Sequence, residues 1–254
     1  MPTRRATIET TAGLTLAAIV DAPEEQPKAT AVLAHCFTCT KDLKAIVKIS
    51  RRLAENGIAV VRFDFRGLGG SSGVFAESNF ETNLEDLQAV CRWSAENVGD
   101  AQLLIGHSLG GAAVMASAMQ IPSVQAIATL AAPSCTAHLA SFLSESNPEI
   151  DSAGQGEVVI GGIMHVMSKQ MLESMRHFDL QKEIESINKP HLILHSPSDA
   201  TVKFEHAHRL MEWSNGSKSL IALNDSDHLL LNRRQDVNDV ADLISVWTRH
   251  WIEG

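Results

Sequence analysis

Leu104-Ile105-Gly106-His107-Ser108-Leu109-Gly110-Gly111, "LIGHSLGG", decides how this chain is read. An apolar run ends in one serine set between two glycines, and an alanine-rich run follows. The run before it predicts a buried strand, and "SLGGAAVMASAMQ" after it predicts a helix rich in small residues. The turn between them is only one residue wide. Gly106 and Gly110 carry no Cβ, so strand and helix backbones can approach closely there. Such a turn lifts the Ser108 hydroxyl out at the carboxyl edge of a sheet. It also sets Ser108 at a helix N-terminus, where free N–H groups hold a developing negative charge. A bare G-x-S-x-G would turn up by chance in roughly one chain in ten of this length. The bland alternative is a serine that only caps the helix, so the partners of Ser108 have to decide.

A serine hydroxyl is a poor nucleophile near neutral pH. It needs a base, and the base needs a carboxylate to orient it. In a turn of this kind the order along the chain is serine, acid, histidine. "LILHSPSDATV" offers Asp199 just past one predicted strand, and "LIALNDSDHLLL" offers His228 just past the last one. In a parallel sheet both fall at the same carboxyl edge as Ser108, where ligands sit in open α/β sheets. Asp225 and Asp227 lie near His228 and are the alternative acids, although neither occupies the strand end.

The rest of the chain supplies such a sheet. "ATIET" and "LTLAAIV" flank Ala12-Gly13 and predict a hairpin. "TAVLAH" (30–35), "IAVVRFDF" (58–65), "AQLLIG", "VQAIATLAAP" (124–133), "HLILH" and "SKSLIAL" (217–223) predict strands. Helices are predicted over 42–57 (closed by Gly57), 79–97, 203–213 and 235–250. Alternating strands and helices imply an α/β fold with a mostly parallel central sheet flanked by helices. The alternation breaks between Ser134 and about Ser186. The chain therefore reads as one domain, 1–254, with a small helical lid inserted at about 134–186. Met164, Met167, Met171 and Met175 fall 3, 4 and 4 apart in it. That spacing predicts one helical stripe, serving as the seam of the lid and compatible with an acyl pocket.

Composition narrows the function. The 254 residues are 44% hydrophobic and 20% charged, with a formal net charge of −9 and no Lys/Arg block. This argues against nucleic acid, whose binding rests on phosphate neutralisation. No 18-residue window is apolar enough for a membrane span, and no secretory signal is visible. Four cysteines, Cys36, Cys39, Cys91 and Cys135, then predict free thiols in a reducing cytoplasm. Cys36-Phe37-Thr38-Cys39 has the spacing of a redox pair or half a zinc site, but no second close pair accompanies it, and no metal is expected. "RGLGGSSG" (66–73) does not fit the dinucleotide pattern, because Ser72 stands where its third glycine belongs. It reads as a tight loop beside the site, with Asp64 and Arg66 structural. His107 borders the pocket, and His138, His165 and His177 read as surface or lid residues.

"HCFT", "DFRGLGGSSG", "GHSLGG", "SPSDATV" and "DHLL" occur in the order found in the α/β-hydrolase superfamily, which the chain resembles over almost its whole length. "AHCFTCTKD" is similar, more narrowly, to the hydrolase portion of bacterial hydrolase–OsmC fusion proteins, without the OsmC domain. The resemblance implies Ser108 as nucleophile, Asp199 as acid and His228 as base. It implies an oxyanion hole made by the backbone N–H groups of Leu109 and Phe37. Cys36, standing where many relatives have glycine, is the alternative donor to Phe37. The implied activity is a carboxylesterase with a small-molecule ester as substrate and no cofactor, and the apolar lid points to small to medium acyl groups. Thioesters, amides or acyl transfer would use the same parts. A non-hydrolytic binding protein of this fold and a Cys36/Cys39 redox protein are the readings from other classes.

Overall fold

The computed structural model describes residues 2–232 and 234–252. Strands β1 (Thr3–Glu9) and β2 (Thr15–Asp21) form the predicted antiparallel hairpin. There follow β3 (Ala29–Ala34), α1 (Lys44–Glu55), β4 (Ile58–Phe63), a single 3-10 turn at Phe75–Glu77 and α2 (Phe80–Asn97). The central stretch runs β5 (Ala101–His107), α3 (Leu109–Ser117) and β6 (Ala126–Leu130). After β6 come α4 (Ala137–Ser146), α5 (Glu149–Ser152), β7 (Gln155–Ile160), β8 (Ile163–Ser168), α6 (Lys169–His177) and α7 (Leu180–Ser186). The chain closes with β9 (His191–His195), α8 (Glu205–Trp213), β10 (Lys218–Ala222) and α9 (Arg234–Ile252).

Eight strands make one sheet in the order β1-β2-β4-β3-β5-β6-β9-β10. The β1/β2 and β2/β4 pairs are antiparallel, and every pair from β4 to β10 is parallel. The inner strands β3, β4, β6 and β9 are buried along their whole length, because helices cover both faces. That is why they read as unbroken apolar runs. On one face α1 and α9 cover residues such as Leu33, Ile105, Ala128 and Leu194. On the other, α2, α3, α7 and α8 cover Val32, Leu104 and Ile193.

Helix ends follow local chemistry. Ala45, Ile46, Ile49 and Leu53 form the buried stripe of α1. Gly57, at φ +93°, closes that helix in the left-handed conformation glycine tolerates. Asn79 caps α2, its side chain accepting from the Thr82 N–H while the Thr82 hydroxyl accepts from the Asn79 N–H.

The segment between β6 and β9 is not wholly helical. Val158-Val159-Ile160 and Ile163 flank Gly161-Gly162, and β7 and β8 pair antiparallel about that turn as a separate two-stranded sheet. Met164 and Met167 therefore sit on β8, and only Met171 and Met175 share a helix, α6. The predicted single methionine stripe is corrected accordingly. Met164 is exposed, whereas Met167, Met171 and Met175 are buried. Arg176 of α6 pairs with Asp151 of α5 at 2.7 Å, and Phe178 packs on Phe80 of α2, ring centroids 4.6 Å apart. No helix among the described residues is long and apolar enough to cross a membrane.

Candidate active site

Ser108 sits between the end of β5 and the first turn of α3, at φ +52° and ψ −120°. A positive φ is uncommon for serine and requires surroundings that enforce it. Three glycines supply them. A Cβ on Gly106 would fall 2.4 Å from the Gly110 carbonyl oxygen, and one on Gly110 would fall 2.4 Å from the His35 carbonyl oxygen. A Cβ on Gly111 would lie 2.5 Å from the Cβ of Ala132. The helix thus starts against the ends of β5, β3 and β6 at once. The Ser108 N–H donates to Leu130 O of β6 at 2.9 Å, anchoring the turn to the neighbouring strand.

Three distant segments meet at this turn. His228 Nδ1 lies 2.8 Å from Asp199 Oδ2, and its Nε2 lies 3.0 Å from Ser108 Oγ. The carboxylate only accepts, so Nδ1 carries the proton and Nε2 is left to accept from the serine hydroxyl. The other carboxylate oxygen of Asp199 accepts from the N–H groups of Thr201, at 2.8 Å, and Val202, at 2.9 Å. Burial acts to raise the Asp199 pKa, but the hydrogen bond and charge of His228 and these two N–H bonds outweigh it and hold the carboxyl below its usual range. Neither Asp225 nor Asp227 takes that place. Asp227 Oδ1 accepts from the Leu231 N–H instead, within the loop between β10 and α9.

Two further histidines, buried beside the strand ends, hold the backbone of this site. His107 Nε2 donates to the His228 carbonyl oxygen at 2.7 Å. Burial, assisted by the neighbouring charge of His228, pushes the His107 pKa down to about 3, so it stays neutral. His195 Nε2 donates to Val202 O at 2.7 Å, fixing the turn whose N–H groups hold Asp199. The first reaches across 121 positions of sequence. Only its place beside Ser108 signalled it.

Leu109 opens α3, so its N–H belongs to the set that no helical carbonyl satisfies. Phe37 lies in the loop after β3. A cleft lined by Cys36, Phe37, Leu68, Phe75, Leu109, Met171 and Met175, among others, joins that loop to the first turn of α3. Cys36 and Cys39 are joined by a disulfide, with Cα atoms 5.3 Å apart. The expectation of four free thiols is therefore corrected: the turn in which the Cys39 N–H donates to Cys36 O at 3.2 Å brings the two sulfurs together. Only Cys91 and Cys135 are free. Asp64 and Arg66 are structural. Asp64 accepts from the Lys41 and Gly70 N–H groups, and Arg66 pairs with the buried Asp86 at 2.7 Å. His138 faces His206, ring centroids 5.1 Å apart, His165 packs on Phe75, and His177 bonds the Glu173 carbonyl. No group of three His, Cys, Asp or Glu among the described residues could hold a metal ion.

Known proteins share this fold. The family model "Serine aminopeptidase, S33" matches residues 25–141. The esterase domain of a Rhodothermus marinus protein is 37% identical, superposes with a TM-score of 0.80, and aligns over 99% of this chain and 100% of its own. Est1E from Butyrivibrio proteoclasticus, solved with ferulic acid bound, shares the fold at 21% identity and a TM-score of 0.83, over 98% of this chain and 100% of that one. An uncharacterized protein of Rickettsia prowazekii is 32% identical over 101 residues, 39% of this chain. The chain spans 42% to 64% of the length of the curated relatives it matches. With a 37% identical esterase domain aligned over its whole length, and a serine at a strained strand–helix turn within reach of a histidine, the chain belongs to the α/β-hydrolase superfamily of serine hydrolases.

Proposed function

We propose that this protein is a carboxylesterase that cleaves small to medium acyl esters through an acyl-enzyme on Ser108. The observation that carries the reading is the continuous hydrogen-bonded chain Ser108 Oγ, His228 Nε2, His228 Nδ1, Asp199 Oδ2, at 3.0 and 2.8 Å. In it, His228 Nε2 takes the hydroxyl proton as Ser108 attacks the ester carbonyl. The same proton then goes to the leaving alcohol. A water activated by His228 releases the acid in a second passage through a tetrahedral intermediate. Asp199 keeps the proton on Nδ1 and stabilises the imidazolium that forms. The N–H groups of Leu109 and Phe37 bind the oxyanion. No step calls for a cofactor.

The cleft beside Leu109 has an apolar side, to which Phe37, Phe75, Met171 and Met175 contribute, and a polar side with Thr38, Ser78, Asn79 and Asn83, and the apolar side is the one we assign to the acyl group. One relative supports ester chemistry: the 37% identical Rhodothermus marinus structure is an esterase domain. The test is hydrolysis of p-nitrophenyl esters of rising acyl length, wild type against Ser108→Ala. Removing the nucleophile should lower kcat on the order of 10⁴- to 10⁶-fold, and the chain-length profile sizes the pocket. An inactive wild type, or a variant that keeps the activity, overturns the proposal.

A further inference from the structure

The Cys36–Cys39 disulfide has no part in the proton transfers above, yet it brackets Phe37, the residue whose N–H is assigned to the oxyanion. The loop is tied firmly on either side of that bracket. His35 Nδ1 donates to Cys36 O at 2.8 Å, and its Nε2 accepts from the Phe65 N–H at 3.2 Å. Past the bracket, the Lys41 N–H donates to Asp64 Oδ1 at 2.6 Å and Lys41 O accepts from Arg62 Nη1 at 2.8 Å. Between these anchors Thr38 stands at φ +56°. A β-branched residue is an outlier there and persists only where its surroundings over-determine it. The Thr38 hydroxyl donates to Phe37 O at 2.7 Å and the Phe37 ring packs on Phe75, while the turn is closed across its base by the backbone bond from Cys39 N–H to Cys36 O, at 3.2 Å, and by the disulfide itself.

We propose that the Cys36–Cys39 disulfide is a positioning element of the oxyanion hole: it locks the turn that aims the Phe37 N–H at the reacting carbonyl. The proposal rests on the serine-hydrolase reading and on Phe37 as donor. It makes hydrolysis sensitive to dithiols. Cys36 is buried and Cys39 half-buried, so a dithiol thiolate attacks Cys39 Sγ. The protein disulfide breaks, a mixed disulfide forms on Cys39, and Cys36 leaves as a thiolate that takes a proton. The second thiol of the reagent then displaces Cys39 and closes its own disulfide. The protein gains two electrons and two protons, and the reagent is oxidised. Thr38 is then free to leave its left-handed conformation, and the Phe37 N–H loses its fixed direction.

The experiment compares oxidised protein, protein reduced with dithiothreitol, and the Cys36→Ser/Cys39→Ser double variant. Thiol titration in denaturant counts two free thiols before reduction, from Cys91 and Cys135, and four after. Losing one oxyanion donor lowers kcat about 10²- to 10³-fold. A donor misaimed and still present should give a fall of roughly 10- to 100-fold, with KM within about twofold. Reoxidation restores the reduced protein, and dithiothreitol has no effect on the double variant. A trifluoromethyl ketone forms an oxyanion adduct with Ser108, so its affinity falls by the same factor as kcat. Competitive inhibition by a planar amide isostere of the ester stays unchanged, which mere loosening of the fold would not produce. Equal kcat and ketone affinity in the three forms overturns the role of the bridge, even if reduction lowers Tm. If the oxidised protein neither cleaves esters nor is labelled at Ser108 by a fluorophosphonate, the serine-hydrolase reading falls and takes this proposal with it.

Discussion

Gly106→Ala tests whether close backbone contact is what sets Ser108 in place. The new Cβ would fall 2.4 Å from the Gly110 carbonyl oxygen and 2.5 Å from the Gly111 Cα, both backbone atoms. Carbon atoms pack comfortably at about 3.5 Å, so strand and helix must separate by about 1 Å. β5 cannot yield, because it is hydrogen-bonded to β3 and β6 on its two sides. Nor can α3 slide, since Gly110 is pressed on the carbonyl oxygens of Ala34 and His35 and Gly111 on Ala132. The remaining movement lifts the first turn of α3 off the sheet and carries Ser108 with it. A misplacement of about 1 Å costs on the order of 100-fold in turnover. Overpacking costs about 1–3 kcal/mol, and at roughly 2–4 °C per kcal/mol for a domain of this size Tm should fall several degrees. The assay pairs kcat on p-nitrophenyl butyrate with a thermal melt. Gly154→Ala is the control: Gly154 stands at φ +89° with nothing within 4 Å of an added Cβ. It should lose about 1–2 kcal/mol to left-handed strain and no activity. A Gly106→Ala protein that melts with the wild type and keeps kcat within about twofold would refute the reasoning.

Asp199→Asn should leave the site folded and lower kcat on the order of 10⁴-fold with little change in KM, because the amide favours the tautomer with Nε2 protonated. Steady-state kinetics checks it, and a loss below tenfold would remove Asp199 from its assigned role. Asp21→Asn probes a buried charge pair of the sheet. The Asp21 carboxylate is buried and accepts from Arg62 Nε at 2.8 Å, Ser50 Oγ at 2.6 Å and Thr3 Oγ1 at 2.8 Å. Removing its charge leaves the buried Arg62 guanidinium with the exposed Asp42 carboxylate, at 3.1 Å, as its remaining counter-charge, and should cost about 1–3 kcal/mol in urea denaturation at pH 7. Burial raises the Asp21 pKa, but the bonds from Arg62, Ser50 and Thr3 outweigh it and bring the folded value below 3.8. A depressed folded pKa gives stabilisation that is complete above the unfolded value and is lost as pH falls through the folded one. The gap between wild type and variant should therefore narrow below about pH 4, and a gap of constant size would show that charge is not its source.

The sheet and the meeting of Ser108, Asp199 and His228 were legible in the sequence for one reason. In a parallel sheet covered on both faces, each inner strand must be an apolar run, and each run must deliver its next residues to the same edge. Ser108 and Asp199 follow the inner strands β5 and β9, and His228 follows the parallel edge strand β10, so 120 positions of separation between Ser108 and His228 cost the reading nothing. The lid offered no such rule. Met164, Met167, Met171 and Met175 satisfy helical spacing by coincidence, while the competing signal was a Gly161-Gly162 turn between Val158-Val159-Ile160 and Ile163. Short apolar runs fit either period. In the fold β8 packs on the 3-10 turn at Phe75 and α6 packs on α2.

What stayed illegible is the layer of contacts that fixes the reacting groups, because each depends on a partner brought close only by the finished fold. The spacing of Cys36 and Cys39 permits a bridge, but whether it closes depends on Thr38 turning left-handed. His107 and His195 carry no local mark that their N–H groups hold the carbonyls of His228 and Val202. Sequence order thus brings the chemical groups to one edge, and buried neutral donors set their angles there. The distinction has a physical consequence. Under the function proposed above, a substitution at Ser108 should abolish turnover, whereas one at His107 or Cys36 leaves Ser108, His228 and Asp199 present and should lower turnover by disturbing their alignment alone.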